Sequence, residues 1–184
     1  MALTKTEVSQ LYVSIFNRAS EGKGNTNWQQ FETMTEAANL MLADKAAEEY
    51  FGTSLLDDAA FVEHIYANTL NKAGATVDAA GKAGWVEHLG TGMSRGEMVA
   101  KMIEAIAEYA PGGTKYDATD TVTVAAYNQF TNRVKVSDYT ADTLATITVS
   151  EIDSTLSFSS ALTVTADPAT VTTAKAKVDA INPA

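Results

Sequence analysis

The sequence predicts an all-α protein in which two related helical units pack as one multi-helix domain, followed by a helical appendage. Three observations support this class: apolar residues recur at helical spacing, one sequence motif occurs twice, and capping residues precede the apolar runs. The 184 residues, 46% of them hydrophobic and 20% charged, suffice for one sizeable core. We expect a tandem helical-repeat domain over residues 1–112 and a Thr- and Ser-rich helical extension over residues 113–184.

The repeated motif consists of an apolar helical stripe, a glycine-containing loop and a single tryptophan. Trp28 and Trp85 are 57 residues apart, whereas the stripes are 54 apart, so the second loop is longer. Internal repeats are typical of scaffolds, because each unit buries its apolar face against its neighbour. The repeat therefore favours binding or assembly over catalysis. The stripes consist of Val8, Leu11, Tyr12, Ile15 and Phe16, and of Val62, Ile65, Tyr66, Thr69 and Leu70.

Local signals predict the elements of the first unit. Thr4 with Glu7 predicts a capping box at the start of the first helix. The glycines of the loop 20–25 are expected to end that helix with positive φ, and a short helix is expected around residues 28–31. A single long helix should then run over residues 34–50.

Capping residues and turn signals also bound the remaining helices of the first unit and those of the second. Thr35 is the candidate cap of the long helix, and Gly52 is expected to close it. Asp78 is the candidate cap of the helix that carries Trp85, and Ser94 with Glu97 predicts a further capping box. The stripe that follows should end at the turn over residues 110–113.

Beyond Gly113 the composition shifts toward Thr, Ser, Val and Ala. Residues 146–165 alternate like strands and are rich in β-branched side chains, yet Ser150 and Asp153 look like a helix start, and we favour helix. The last helix should begin with Asp167 as its cap and Pro168 at its first position. Its apolar face is Val171, Ala174, Val178 and Ile181.

Composition excludes several classes of function. A net charge of −10 and a pI near 4.5 make nucleic acid an unsuitable partner. The absence of cysteine excludes disulfides, thiolate nucleophiles and cysteine-zinc sites. No stretch is apolar enough to insert into a membrane, and the N-terminus lacks the basic region and apolar core of a cleavable Sec signal. An exported chain of this kind would carry its signal elsewhere.

The second copy of the repeat supports a resemblance to a known group of proteins. Residues 61–72, with Asp78, Gly81, Gly84, Trp85 and Leu89, resemble a helical repeat of bacterial surface-layer and RTX-type secreted proteins. Gly84 stands where an aromatic residue is usual, and Asn17-Arg18 and Asn71-Lys72 replace Gly-Arg. More specifically, residues 3–12, 19–22, 39–42 and 50–52 look like the start of Campylobacter-type surface-array proteins, and residues 130–139 and 166–171 are similar to the segments that follow this repeat.

This resemblance implies a location and a partner. In such proteins the N-terminal helical domain anchors an array to lipopolysaccharide on the outer surface of Gram-negative cells, after type I secretion. The implied partner is the O-polysaccharide, together with further copies of the chain. The calcium-binding glycine-rich nonapeptides of that family are missing here.

The residues that could carry out catalysis or bind a metal do not form a recognisable active site in the sequence. His64 and His88 have no suitably spaced partner, and no Gly-x-Ser-x-Gly motif occurs, so we expect no enzyme activity. No cofactor is expected, although calcium is a candidate. The paired aspartates Asp57-Asp58 and Asp117 with Asp120 offer oxygen ligands for it, but we favour helix capping because each pair precedes an apolar stripe.

Two sets of residues are candidates for glycan contact. Trp28 and Trp85 are either sugar-stacking platforms or plugs between the helices of each unit, and their recurrence favours plugs. Polar loops and helix ends are the better candidates for glycan binding, and the residues chosen there are Arg18, Lys23, Asn25, Asn27 and Lys72.

The leading hypothesis is a non-enzymatic anchoring domain that binds the O-polysaccharide of lipopolysaccharide, through many modest contacts multiplied by an array. The alternative is a lattice or filament protein that makes protein–protein contacts only. A third hypothesis is an enzyme acting on surface glycans.

Overall fold

The computed structural model describes residues 2–70, 79–147 and 153–181. Within these ranges the chain forms nine α-helices and two 3₁₀ turns and has no β-strand, which confirms the all-α class. The helices are α1 (Lys5–Phe16), α2 (Gly22–Trp28), α3 (Met34–Ala43), α4 (Lys45–Phe51), α5 (Asp58–Leu70), α6 (Ala79–Gly90), α7 (Arg95–Ala107), α8 (Thr121–Thr143) and α9 (Pro168–Ile181), and the 3₁₀ turns are Gly52–Leu56 and Asp153–Leu156.

The first helix begins as predicted and ends differently. The Thr4 side chain accepts a hydrogen bond from Glu7 N, and the Glu7 carboxylate accepts one from Thr4 N, which completes the predicted capping box. The helix ends at Asn17, whose φ of 48° is left-handed, a conformation that asparagine tolerates better than most residues. Gly22 and Gly24 are not the helix terminators we expected, because both lie inside α2. The short helix predicted at residues 28–31 is therefore placed too late.

The long helix predicted over residues 34–50 is wrong, because Asp44 divides it. Asp44 has an extended backbone, and its carboxylate accepts a hydrogen bond from Ala46 N at 2.9 Å, which caps α4. An aspartate that bonds its neighbouring backbone competes with helix continuation. The cap of α3 is Thr33, not Thr35, and Gly52 closes α4 with a φ of 54°, as predicted.

Helices α1 to α3 of the first unit are followed in the same order by α5 to α7 of the second, whereas α4 belongs to the first unit alone within the described ranges, and the two units pack against each other. α1 packs against α5 and α3 against α7, and the α3–α7 contact is the most extensive between helices of the described ranges. Asn39 of α3 accepts a hydrogen bond from Gly96 N at 2.9 Å and donates one to Ser94 Oγ at 3.1 Å. Ser94 also caps α7 by accepting from Glu97 N, which is one of the two hydrogen bonds of the predicted capping box. The predicted cap Asp78 lies outside the described residues.

α8 joins the C-terminal segment to the first unit. It packs on α1, α2 and α9, and its N-terminus is capped by Asp120, which accepts from Thr123 N. Ser20 N donates to Ser137 Oγ at 2.9 Å, and Thr140 Oγ1 donates to the Ser20 carbonyl. The boundary expected after Gly113 falls in the turn between α7 and α8 and stays a prediction.

The helix favoured over residues 146–165 is wrong for most of the described part. Residues 148–152 lie outside the described ranges, and the Asp153–Leu156 turn is followed by irregular chain. Ser157 forms an isolated antiparallel bridge with Arg18, and alternate side chains enter the core. Residues 158–161 form a turn, and the segment is held against the end of α1 and against α8 by hydrogen bonds from Phe158 N to Asn17 O and from Arg133 Nε to Val164 O. Its buried residues are Leu156, Phe158, Leu162 and Val164.

The last helix agrees with its prediction. Asp167 accepts a hydrogen bond from Ala169 N at 2.9 Å, and Pro168 is the first helical residue. Ala174 and Val178 are buried, and Val171 and Ile181 pack against the core from its margin.

Candidate functional site

A groove lies between α1, α2 and the α3–α4 junction, with a volume of about 540 Å³. Asp44 lies at this junction, where it ends α3 and caps α4 with an extended backbone. We call it the first groove. Its apolar wall is mostly aromatic, and the four aromatic residues are Tyr12, Phe16, Trp28 and Tyr50.

Three of these rings form a connected row. Tyr12 and Phe16, one helical turn apart on α1, have ring centroids 6.1 Å apart. Phe16 meets Tyr50 of α4 nearly edge-on, with centroids 5.8 Å apart. Trp28 is half-buried, packs beside Phe31 and shares a side-chain hydrogen bond with Tyr12. The groove therefore exposes aromatic surface held by packing, an arrangement suited to apolar faces of a ligand.

A buried ion pair supports the wall formed by α1 and α2. Arg18 Nη2 lies 2.5 Å from Glu21 Oε2, and the two side chains are only 8% and 2% exposed. The Arg18 guanidinium also stacks over the Tyr12 ring, 5.2 Å from its centroid. A Cβ atom at Gly24 would collide with the Glu21 carboxylate and the Tyr12 hydroxyl. Gly24 thus allows both polar groups to lie against the backbone of α2.

Tyr12 remains a neutral hydroxyl at physiological pH. Burial raises its pKa above the usual 10.0, the nearby Glu21 carboxylate raises it further, and Arg18 and a hydrogen bond with the Trp28 side chain oppose the shift. A protonated phenol keeps both a donor and an acceptor. Because Tyr12 is buried and its hydroxyl lies against α2 and bonds the Trp28 side chain, this group supports the inner wall of the groove.

Polar and charged side chains form the rim. Lys23 and Asn27 are exposed on α2, and Asp44 and Glu49 lie across the groove on the α4 side. Glu49 also pairs with Lys45 at 3.6 Å, in an exposed position where such a pair contributes little to stability. With Arg18 and Glu21 the lining has three acidic and two basic side chains, so the groove suits a polyhydroxylated ligand better than a highly charged one.

The structure brings three of the predicted glycan-binding residues together. Arg18, Lys23 and Asn27 all line the first groove. Asn25 does not, because it is buried and its amide donates inward to Lys5 O and Ser20 Oγ. The Asn25 side chain is therefore a structural group and is removed from the ligand-contacting set. Lys72 lies outside the described residues.

Sequence reasoning missed the other half of the groove. Tyr12 and Phe16 follow the apolar period of α1, so they were assigned to the core. Tyr50 and Glu49 were expected on one continuous helix over residues 34–50. The division of that helix at Asp44, beside which the groove lies, was not predicted. The spacing of Arg18 and Glu21, three residues apart, is the one signal that indicates their ion pair.

The histidines lie apart from this groove. His64 packs against the rings of Tyr50 and Phe51, with centroids 5.1 and 4.8 Å away, and burial lowers its pKa below 6.5. His88 is exposed on α6, beside Trp85. Neither histidine belongs to the lining of the first groove.

The aspartates considered as calcium ligands make capping bonds. Asp57 accepts from Ala60 N at 2.7 Å, and Asp120 accepts from Thr123 N at 3.0 Å, as favoured. Asp58 pairs with Arg95, and Asp117 accepts from the backbone and hydroxyl of Thr119. The described part of the chain contains no cluster of three or more His, Asp or Glu side chains suited to a metal ion.

Comparison with known proteins gives one match. The model of a family described as a domain of unknown function (DUF4214) matches residues 37–109, a stretch from α3 to just past α7. The chain is similar to this family over the end of the first unit and most of the second, whereas most of the residues that line the first groove precede the match. No curated protein and no solved structure matches the chain. Across the three described ranges, no helix combines the length and apolar character needed to cross a bilayer.

Proposed function

We propose that this chain is a non-enzymatic carbohydrate-binding domain that attaches a surface protein or array to the outer envelope of a Gram-negative bacterium. Its ligand is the O-polysaccharide of lipopolysaccharide, held in the first groove. Type I export, an extracellular location and further copies of the chain as partners belong to the same proposal, and they rest on the sequence resemblance.

The observation that carries the proposal is the combination of aromatic faces and neutral or paired polar groups in one groove. Sugar rings present C–H groups on their faces and hydroxyls at their edges. The negative faces of Phe16, Trp28 and Tyr50 suit the C–H groups. Lys23 and Asn27 offer donors to the hydroxyls, and Asp44 and Glu49 offer acceptors.

A groove of this kind predicts weak binding at each site and firm attachment of an array that has many copies. Its rim residues are exposed, so each hydrogen bond to a sugar replaces one to water and contributes modestly. A repeating polysaccharide that meets many copies of the chain turns such contacts into firm attachment through effective concentration. A single deep and tight site is not required.

The test compares binding to lipopolysaccharide with and without O-polysaccharide. The wild-type chain should bind immobilised lipopolysaccharide that carries the polysaccharide and should not bind the truncated form. Trp28→Ala should weaken the binding at least about tenfold, because it removes an aromatic face. Asn27→Ala and Lys23→Ala alter exposed positions, so they should weaken binding by about threefold or more while leaving the fold intact.

Tyr116→Ala is the matched aromatic control, since Tyr116 is exposed in the turn before α8 and does not line the groove. It should bind like the wild type. Equal binding to both forms of lipopolysaccharide, or equal losses for Trp28→Ala and Tyr116→Ala, would overturn the proposal. Release of shortened glycans after incubation would instead support an enzyme.

A further inference from the structure

We propose that a second groove, at Trp85, binds another sugar unit of the same polysaccharide. This inference deepens the proposed function and rests on it. The second groove has a volume of about 320 Å³ and lies between α6, the loop before α7 and α7 itself. Its lining is Gly81, Gly84, Trp85, His88, Met93 and Lys101.

The internal repeat relates three lining positions of the two grooves. The 57-residue offset that relates Trp28 to Trp85 also relates Gly24 to Gly81 and Asn27 to Gly84. All three positions of α2 line the first groove, and all three of their counterparts on α6 line the second. The same face of the equivalent helix therefore borders a groove in both units. Packing explains why part of each tryptophan is buried, but it does not require that the rest of the ring border a groove. Because both tryptophans border a groove, we infer that the two grooves bind the same kind of ligand.

The second groove has the chemistry for a sugar, with a simpler lining than the first. Trp85 is half-buried, packs against the core on one side, and meets the His88 ring edge-on at 6.2 Å. Lys101 is 47% exposed, and its ammonium lies 3.8 Å from Glu97, so it keeps donors for a hydroxyl. The smaller volume suits fewer sugar units than the first groove holds.

Gly84 allows the second groove to be blocked without disturbing the fold. A Cβ atom built on Gly84 meets nothing within 4 Å, and the residue lies inside α6 with a backbone suited to any side chain. Leucine is also a better helix former than glycine. Gly84→Leu should therefore fill the groove beside Trp85 while preserving the helix. Gly90→Leu is the matched control, because Gly90 is equally open, lies on the same helix and is not in the lining.

The experiment follows the two indole N–H signals of the full chain by NMR, since the protein has two tryptophans. Trp28→Phe and Trp85→Phe assign the signals. The probe is the oligosaccharide of one repeating unit, released from the O-polysaccharide of the source organism. Both indole signals should shift and saturate in the wild type and in Gly90→Leu. In Gly84→Leu the Trp28 signal should still shift, whereas the shift of the Trp85 signal should be lost.

The outcomes separate this inference from the proposed function. A shift of the Trp28 signal alone in the wild type would overturn the second site and leave the first intact. A Trp85 shift that is the same in Gly84→Leu and Gly90→Leu would also overturn it, because a blocked groove cannot hold the sugar. If neither signal shifts, the proposed function falls together with the second site.

Discussion

Asn68 of α5 donates its side-chain amide to the backbone carbonyls of Ser14 at 3.1 Å and Ile15 at 3.3 Å on α1. Ser14 and Asn68 are 54 residues apart, the offset that relates the two apolar stripes. Equivalent positions of the two units thus meet at the interface between them. Asn68 also lies 3.4 Å from the Tyr50 hydroxyl, so this interface adjoins the first groove.

Replacing Asn68 with alanine should lower the free energy of unfolding by about 2 kcal/mol, because buried carbonyls of α1 lose their side-chain donor. Urea denaturation measures the change. Asn27→Ala, an exposed helical position, is the matched control and should stay within about 0.5 kcal/mol of the wild type. Equal effects of both changes would show that the Asn68 bonds do not join the units.

The ion pair in the first groove should matter more for stability than an exposed pair of the same kind. Glu21→Gln removes the carboxylate charge that lies 2.5 Å from the buried Arg18 guanidinium and should lower the free energy of unfolding by about 3 kcal/mol. Glu49→Gln removes a carboxylate from the exposed Lys45–Glu49 pair and should cost less than about 0.5 kcal/mol. Chemical denaturation at neutral pH measures the free energy of unfolding of both variants and of the wild type. A loss no larger for Glu21→Gln than for Glu49→Gln would contradict the assigned role.

The sequence predicts those features that local physics determines. The capping residues Thr4, Ser94 and Asp167 act within one helical turn, so their spacing suffices to place them. The apolar stripes likewise predict which face of each helix is buried. The break at Asp44 is harder to predict, because the residues on both sides favour helix and the decision depends on how α3 and α4 pack.

The site is only partly predictable for the same reason. Arg18, Lys23 and Asn27 are close in sequence, so their common location follows from α2 and its preceding turn. Tyr50 reaches the groove only through the tertiary arrangement of α4 against α1, which no local pattern encodes. Asn25 resembles its exposed neighbours in sequence, yet the helix turns its side chain inward.

Two glycines should respond oppositely to the same substitution. A Cβ atom at Gly22 would collide with the backbone of Ala145 and the Ala141 carbonyl, so Gly22→Ala should lower the free energy of unfolding by about 2 kcal/mol or more. Gly84→Ala enters open space on a helix and should raise it by up to about 1 kcal/mol. Thermal and urea unfolding measure the stability of Gly22→Ala and Gly84→Ala relative to the wild type. A stabilising Gly22→Ala would contradict the close approach of α2 to the end of α8.

His64 should make stability depend on pH in the acidic range. Burial against Tyr50 and Phe51 lowers its pKa in the folded state below the usual 6.5, so the unfolded chain binds the proton more readily. The stabilising contribution of neutral His64 is complete above about pH 6.5 and is lost as the pH falls through that value toward the folded-state pKa.

The check is the free energy of unfolding between about pH 8 and about pH 5 for the wild type and for His64→Gln, which cannot take up the proton. The variant should lose part of the acid-dependent decline. His88→Gln, at an exposed position of α6, is the matched substitution. If His64→Gln and the wild type decline in parallel, burial does not disfavour protonation of His64, and this ring packs more loosely than its contacts with Tyr50 and Phe51 imply.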